Sequence, residues 1–175
     1  MLFGALSSTA DERKGFSQLL TALNRLTLQA DDVELLIVGA TQPSEASEFS
    51  LPVHYLGTFN DELTMALVYS AADIFVAPSL QDNLPNTVME AMACGTPCVA
   101  FNTGGFPDMI EHHHNGALAE CFSAASLASE IAWTLEEATR SQLGEQARKS
   151  VEQKYSADAV VEQYLNLFES CVIDG

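Results

Sequence analysis

The sequence predicts an α/β fold: a Rossmann-like parallel sheet of about six strands with helices on both faces, one domain over residues 1–175. Three observations carry this. Short, nearly all-apolar runs alternate with amphipathic stretches along the chain. Residues 73–101 read strand, loop, helix, strand, a βαβ unit whose strands must be parallel and whose loop ends face a common crevice. The chain is 175 residues long and 47% hydrophobic, enough for one full core.

Residues 1–6 (MLFGAL) form the first expected strand, followed by a polar loop over 7–12. Arg13-Lys14-Gly15 opens a helix carrying Phe16, Leu19, Leu20, Leu23 and Leu26 at helical spacing. Residues 33–39 (VELLIVG) are the next buried strand, and Gly39 ends it where the backbone can approach a flat base. Residues 42–51 are a polar loop or short helix, and 53–57 (VHYLG) a third strand with His54 in a structural role. Phe59 follows, suited equally to stacking on a base or to the core. Residues 61–72 read as an amphipathic helix with Leu63, Leu67 and Tyr69 inward and Asn60 or Asp61 as cap.

The strand at 73–77 (DIFVA) leads into the central stretch. A helix opens near Pro85, which is tolerated in a first turn, with Asn83 placed to cap. Val88, Met89 and Met92 fall on its apolar side; Asn86, Thr87 and Glu90 share another. Gly95 and Pro97 stop it, and 98–101 is a further strand. Gly104-Gly105 then make a turn in which backbone can come close to a ligand or simply connect strand to helix. His112, His113 and His114 read as a solvated corner, because three consecutive histidines cannot all face one metal. A short last strand over 117–120 precedes a helix capped by Ser123, with Leu127, Ile131 and Leu135 on one face and Trp133 in packing. Helices over 142–155 and after Ser156 close the chain, the last with Val160, Tyr164, Leu167 and Phe168 as its apolar face.

The net charge of −17 makes nucleic acid and anionic membrane surfaces poor partners. No run is long and apolar enough to span a bilayer, and with no basic segment followed by an apolar stretch at the start, no secretory signal is expected. Cys94, Cys98, Cys121 and Cys171 have neither zinc-knuckle nor framework spacing and read as buried free thiols in a reducing cytosol, so a cytoplasmic location is expected. No Lys or Arg occurs between Arg25 and Arg140. A polyanion bound by the central stretch must therefore meet helix N-termini and cations from elsewhere, for which Arg13 and Lys14 are the candidates.

Glu90 is read as a carboxylate one turn inside a mostly buried helix, and a buried carboxylate needs a partner. Asp82 lies in the loop before it. Two acids flanking a helix N-terminus, itself an anion site, point to a ligand with both phosphates and hydroxyls.

From Asp82 to Pro97 the stretch resembles the donor-binding half of the GT-B-fold glycosyltransferases, in the large "group 1" retaining class that uses nucleotide-activated sugars. That class carries a Glu, seven residues, and a second Glu followed by Ala-Met-Ala-x-Gly-x-Pro. Here Glu90 is followed by Ala91, Met92, Ala93, Cys94, Gly95, Thr96 and Pro97, while the first Glu falls on Asp82, one methylene shorter. The resemblance implies that Glu90 accepts hydrogen bonds from ribose hydroxyls. It implies that Asp82 and the backbone of Asn83, Leu84 and Pro85 face the transferred sugar and its phosphates, and that the loop of Gly104 and Gly105 borders the sugar. Asn86 and Thr87, in the first turn of the helix, are expected to join them in binding substrate. It also places the nucleobase at the loop of Thr58 and Phe59.

Lys14, with Arg13 beside it, matches a Lys-Gly junction that reaches the donor diphosphate in that class. The class often has a further Arg after the first strand's Gly, where this chain has Ala5. Lys14, Arg13 and the amides at the helix start could supply preorganised positive charge to the departing diphosphate. Enzymes of this fold generally use protein positive charge for that task, so the resemblance implies no metal or other cofactor.

The implied reaction moves a hexose from a nucleoside diphosphate sugar to an acceptor hydroxyl with retention, plausibly in cell-surface polysaccharide synthesis. Members of the class are about twice this long and carry an N-terminal acceptor-binding domain. The expected partner is that domain, and the chain alone is expected to bind nucleotide weakly and to show no transfer. A non-catalytic nucleotide-sugar binding module is the alternative. A receiver-like acidic domain is disfavoured, because Asp73 and Asp82 lie too far apart for its metal cluster.

Overall fold

The computed structural model describes residues 1–4, 12–26, 33–40 and 49–173, with side chains to residue 171. The expectations for Ala5, for most of the 7–12 loop and for most of 42–51 fall outside the described residues.

Six short parallel strands form one sheet: β1 (Leu2–Gly4), β2 (Leu35–Val38), β3 (Val53–Gly57), β4 (Phe75–Ala77), β5 (Cys98–Phe101) and β6 (Gly116–Ala119). Their spatial order is β3-β2-β1-β4-β5-β6. The chain builds outward from β1 in one direction, then returns to β1's other side and builds the opposite way. A crevice therefore opens beyond the carboxyl ends of β1 and β4, where the winding reverses.

Side-chain alternation supplies two apolar layers. In β5, Val99 and Phe101 join Phe3, Ile37 and Val76 beneath helices α1 (Phe16–Leu23) and α5 (Ala124–Leu135). Cys98 and Ala100 face the other way, with Leu2, Val38 and Phe75, beneath α2 (Glu62–Ala71), α3 (Asn86–Ala93), the one-turn α4 (Phe106–Met109) and α6 (Glu137–Lys154). Gly144 of α6 presses on α3's terminus so closely that a Cβ there would lie 2.3 Å from the Gly95 carbonyl oxygen.

Several elements differ from expectation. Arg13 and Lys14 sit in a separate 3-10 turn (Glu12–Lys14), because Gly15 adopts φ 68° and breaks the helical path before α1. In α2, Leu63 and Leu67 are 72% and 62% exposed; Met65, Val68 and Tyr69 point inward instead. A turn of 100° per residue places 63 and 67 opposite that face, which the many apolar residues of α2 disguise. Asp61 is the cap of this helix, accepting from the Thr64 amide at 2.7 Å. Helix α6 starts five residues before the expected position, directly after α5. Of the cysteines read as buried, only Cys98 is; Cys94 is partly exposed at the end of α3, and Cys121 and Cys171 are exposed, in the turn after β6 and near the end of the chain.

Helix α7 (Ala157–Ile173) leaves its apolar side in solvent, with Tyr164, Leu167 and Phe168 at 57–60% exposure. The histidine corner is exposed but ordered. The His112 ring stacks on His113 at 3.6 Å, and His113 stacks on Trp133 at 3.7 Å. His113 pairs with Glu130 at 2.8 Å, which brings three donor atoms within 4.8 Å of one another. His112 Nδ1 accepts the Leu118 amide at 3.0 Å, so in the neutral ring Nε2 carries the proton and no lone pair is left for a metal.

Candidate functional site

Three segments converge on the crevice beyond β1 and β4. The first is the turn 12–15. A Cβ on Gly15 would lie 1.8 Å from the Pro78 carbonyl oxygen, and the Leu80 amide donates to the Arg13 carbonyl at 2.7 Å. Only glycine, in this left-handed conformation, lets the turn press onto the loop leaving β4. That contact carries Lys14 to the loop, where its Nζ meets Asp82 Oδ2 at 3.0 Å.

The second segment is that loop, held from behind by the turn after β5. The Gly105 amide donates to the Asp82 carbonyl at 3.1 Å. A Cβ on Gly104 would lie 2.0 Å from the same oxygen, and one on Gly105 would lie 1.6 Å from the Asn83 oxygen. The two glycines thus contact the backbone at 82–83, and neither they nor the half-exposed Leu84 line the recesses described below.

The third is the start of α3. Its N-cap is Pro85, not Asn83, and no side chain caps it. Proline lacks a side-chain acceptor, so the first amides of the helix are left for the crevice. Asn83 is exposed beside Arg13 and Lys14.

Glu90 corrects a sequence expectation. It is exposed on the crevice side of α3, not buried, because Val88, Ala91 and Met92 take the core-facing side. One of its oxygens is engaged: the Tyr69 hydroxyl donates to Glu90 Oε2 at 2.9 Å. Burial, and then the charge of Glu90, push the Tyr69 phenol far above the usual range. The phenol therefore stays a proton donor to the carboxylate.

These side chains line a run of adjoining recesses. One of about 280 Å³ is lined by Arg13, Lys14, Gln81, Asp82 and Asn83. A narrow pocket of about 30 Å³ shares Lys14 and Asp82 with it and adds Gly4, Pro85 and Thr87. Next comes a cleft of about 320 Å³ between Gly39 and Phe59 on one side and Asn86, Thr87 and Glu90 on the other. Beyond Glu90 a further groove of about 470 Å³ runs between α2 and α3. Among the described residues, Arg13 and Lys14 are the only basic side chains lining these recesses. Positive charge is thus confined to one end, with a carboxylate near the middle and an apolar wall of Val38, Phe59 and Met65 beside it.

Of the residues expected at the site, Arg13, Lys14, Asp82 and Asn83 come together at one end and Gly39, Phe59, Asn86, Thr87 and Glu90 at the other. Pro85 and Thr87 line the neck between them. The sequence reading missed Tyr69 as part of the site and assigned it to the core alone. The available signal was chemical: a tyrosine on an inward helix face must find a partner for its hydroxyl.

A family model described as "Glycosyl transferases group 1" matches residues 1–137. An N-acetylgalactosaminyltransferase of Campylobacter jejuni acting on a diphospho-undecaprenol-linked sugar is 32% identical over 152 residues, covering 83% of this chain and 39% of that protein. Among solved structures, sucrose-phosphate synthase from Thermosynechococcus elongatus superposes with TM-score 0.76 at 27% identity, over 99% of this chain and 46% of that one. Anabaena HepE, solved with UDP-glucose, shares the fold at TM-score 0.74 and 22% identity, over 97% and 48% of the two chains. The chain spans less than half the length of each of these relatives. With a family match across most of the sequence and a six-stranded Rossmann-like sheet that superposes on GT-B enzymes, the chain belongs to the group 1 glycosyl transferases.

Proposed function

We propose that this chain is the donor-binding half of a retaining hexosyltransferase and holds a nucleoside diphosphate sugar in the crevice beyond β1 and β4. One observation carries the reading. A single run of recesses places cations, uncapped helix amides and an accessible carboxylate in sequence along its length. That order suits phosphates at Lys14, Arg13 and the start of α3, a ribose diol at Glu90, and a flat base between Gly39 and Phe59.

Asp82 and the backbone at Asn83 and Pro85 face the transferred sugar in this reading, with Gly104 and Gly105 shaping that backbone. As the bond to the sugar breaks, charge accumulates on the diphosphate. Lys14, Arg13 and the α3 amides are fixed in place to receive it. The relatives' additional length would supply the acceptor-binding domain, and cell-surface polysaccharide synthesis is the setting we favour. We place the protein in the cytoplasm, in keeping with its free cysteines; no helix among the described residues is long and apolar enough to cross a membrane.

Calorimetric titration of UDP, GDP and ADP into the chain and into Glu90→Ala tests this. One of the three should bind, and the substitution should weaken it about tenfold or more, as loss of a charged hydrogen-bond acceptor would. Absence of heat with all three nucleotides would sink the proposal.

A further inference from the structure

Glu90 is an exposed glutamate with three rotatable bonds, yet its carboxylate is tied at one corner. The residue that ties it is buried and packed. Tyr69 is 2% exposed, and its ring meets Phe75 edge-on, with centroids 5.6 Å apart and planes at 88°. Its carbonyl oxygen accepts the hydroxyl of the buried Thr96 at 2.7 Å, which anchors the end of α2 to the loop after α3. The phenol reaches Glu90 across 21 residues of sequence, from a different helix.

A carboxylate offers about four acceptor positions, and the phenol occupies one on Oε2. The others remain for the cleft that Glu90 lines together with Gly39 and Phe59. We propose that Tyr69 is a positioning residue: it holds the Glu90 carboxylate in the orientation that receives a vicinal diol, and so sets the preference for a ribose over a deoxyribose nucleotide. This rests on the reading of Glu90 given under the proposed function and extends it to the sugar selectivity of the same site. The elevated phenol ionisation range is consistent with this role, since Tyr69 remains a donor throughout the physiological range.

The test compares the best-binding of UDP, GDP and ADP with its 2′-deoxy counterpart, in wild type, Tyr69→Phe and Glu90→Ala. Wild type should prefer the ribonucleotide, and Glu90→Ala should abolish the preference. Tyr69→Phe should weaken the ribonucleotide roughly 3- to 10-fold, the range of one hydrogen bond, and leave the deoxynucleotide within about twofold.

A wild-type chain that does not distinguish the two sugars overturns the assignment of Glu90 and this inference with it. A preference lost in Glu90→Ala but kept in Tyr69→Phe overturns the role of Tyr69 alone, as does equal weakening of both nucleotides by Tyr69→Phe. A second measurement needs no variant: the Tyr69 hydroxyl proton, followed by NMR, should stay protected from exchange when nucleotide saturates the site. Its release on binding would mark the phenol as a competitor for Glu90 and overturn the proposal.

Discussion

Lys14 and Asp82 stand 3.0 Å apart with 33% and 20% of their side chains exposed. A partly solvated pair of this kind contributes about 0–1 kcal/mol. It holds the ammonium at the mouth of the crevice without tying it up, so a diphosphate can recruit it. Replacing Lys14 by Met should lower nucleoside diphosphate affinity about tenfold and flatten its dependence on salt, measured by calorimetry at two ionic strengths. Unchanged affinity would leave Arg13 and the α3 amides to hold the phosphates of the proposed ligand. The sequence pointed to both residues but not to their pairing. They lie 68 residues apart, and only the folding of the 12–15 turn against the β4 loop joins them.

The elements that shape the site are short, and glycines set their spacing. The Arg13-Lys14-Gly15 junction lies against Pro78 because Gly15 has neither a Cβ nor a penalty at φ 68°. Gly15→Ala must move one backbone away from another. It should cost roughly 2 kcal/mol or more in chemical denaturation and weaken nucleotide binding through the displaced Lys14. An alanine variant of wild-type stability would show that the turn can re-seat.

Helix boundaries were the least legible part of the sequence. Pro85 and Asn83 are both credible starts for α3, and local chemistry alone does not choose between them. Likewise α2 is apolar on most sides, so its inward face was assigned to Leu63 and Leu67 although Met65, Val68 and Tyr69 occupy it.

Across the molecule, the two apolar layers enclose the sheet, yet α7 adds little to either. Val161, Tyr164, Leu165, Leu167 and Phe168 are 55–60% exposed. Removing residues 161–175 should therefore change unfolding free energy by no more than about 1 kcal/mol and reduce self-association, read by denaturation and light scattering. A loss of several kcal/mol would mean that this helix packs more firmly than its exposure indicates.

Sequence alone determined the fold class and pointed to most residues of the candidate site. Apolar runs and helix stops are local signals, and the spacing from Asp82 to Pro97 places an acid, a helix start and a second acid within one βαβ unit. Tertiary structure decided what depends on contacts between distant segments. The reversal of winding at β1 and β4 set where the crevice opens. The docking of the 12–15 turn brought a cation to it, and the burial of Val88, Ala91 and Met92 turned Glu90 outward, where the Tyr69 hydroxyl of α2 meets it. The reason is physical: periodicity records which face a residue prefers to bury, but not which partner, many residues away, will meet it there.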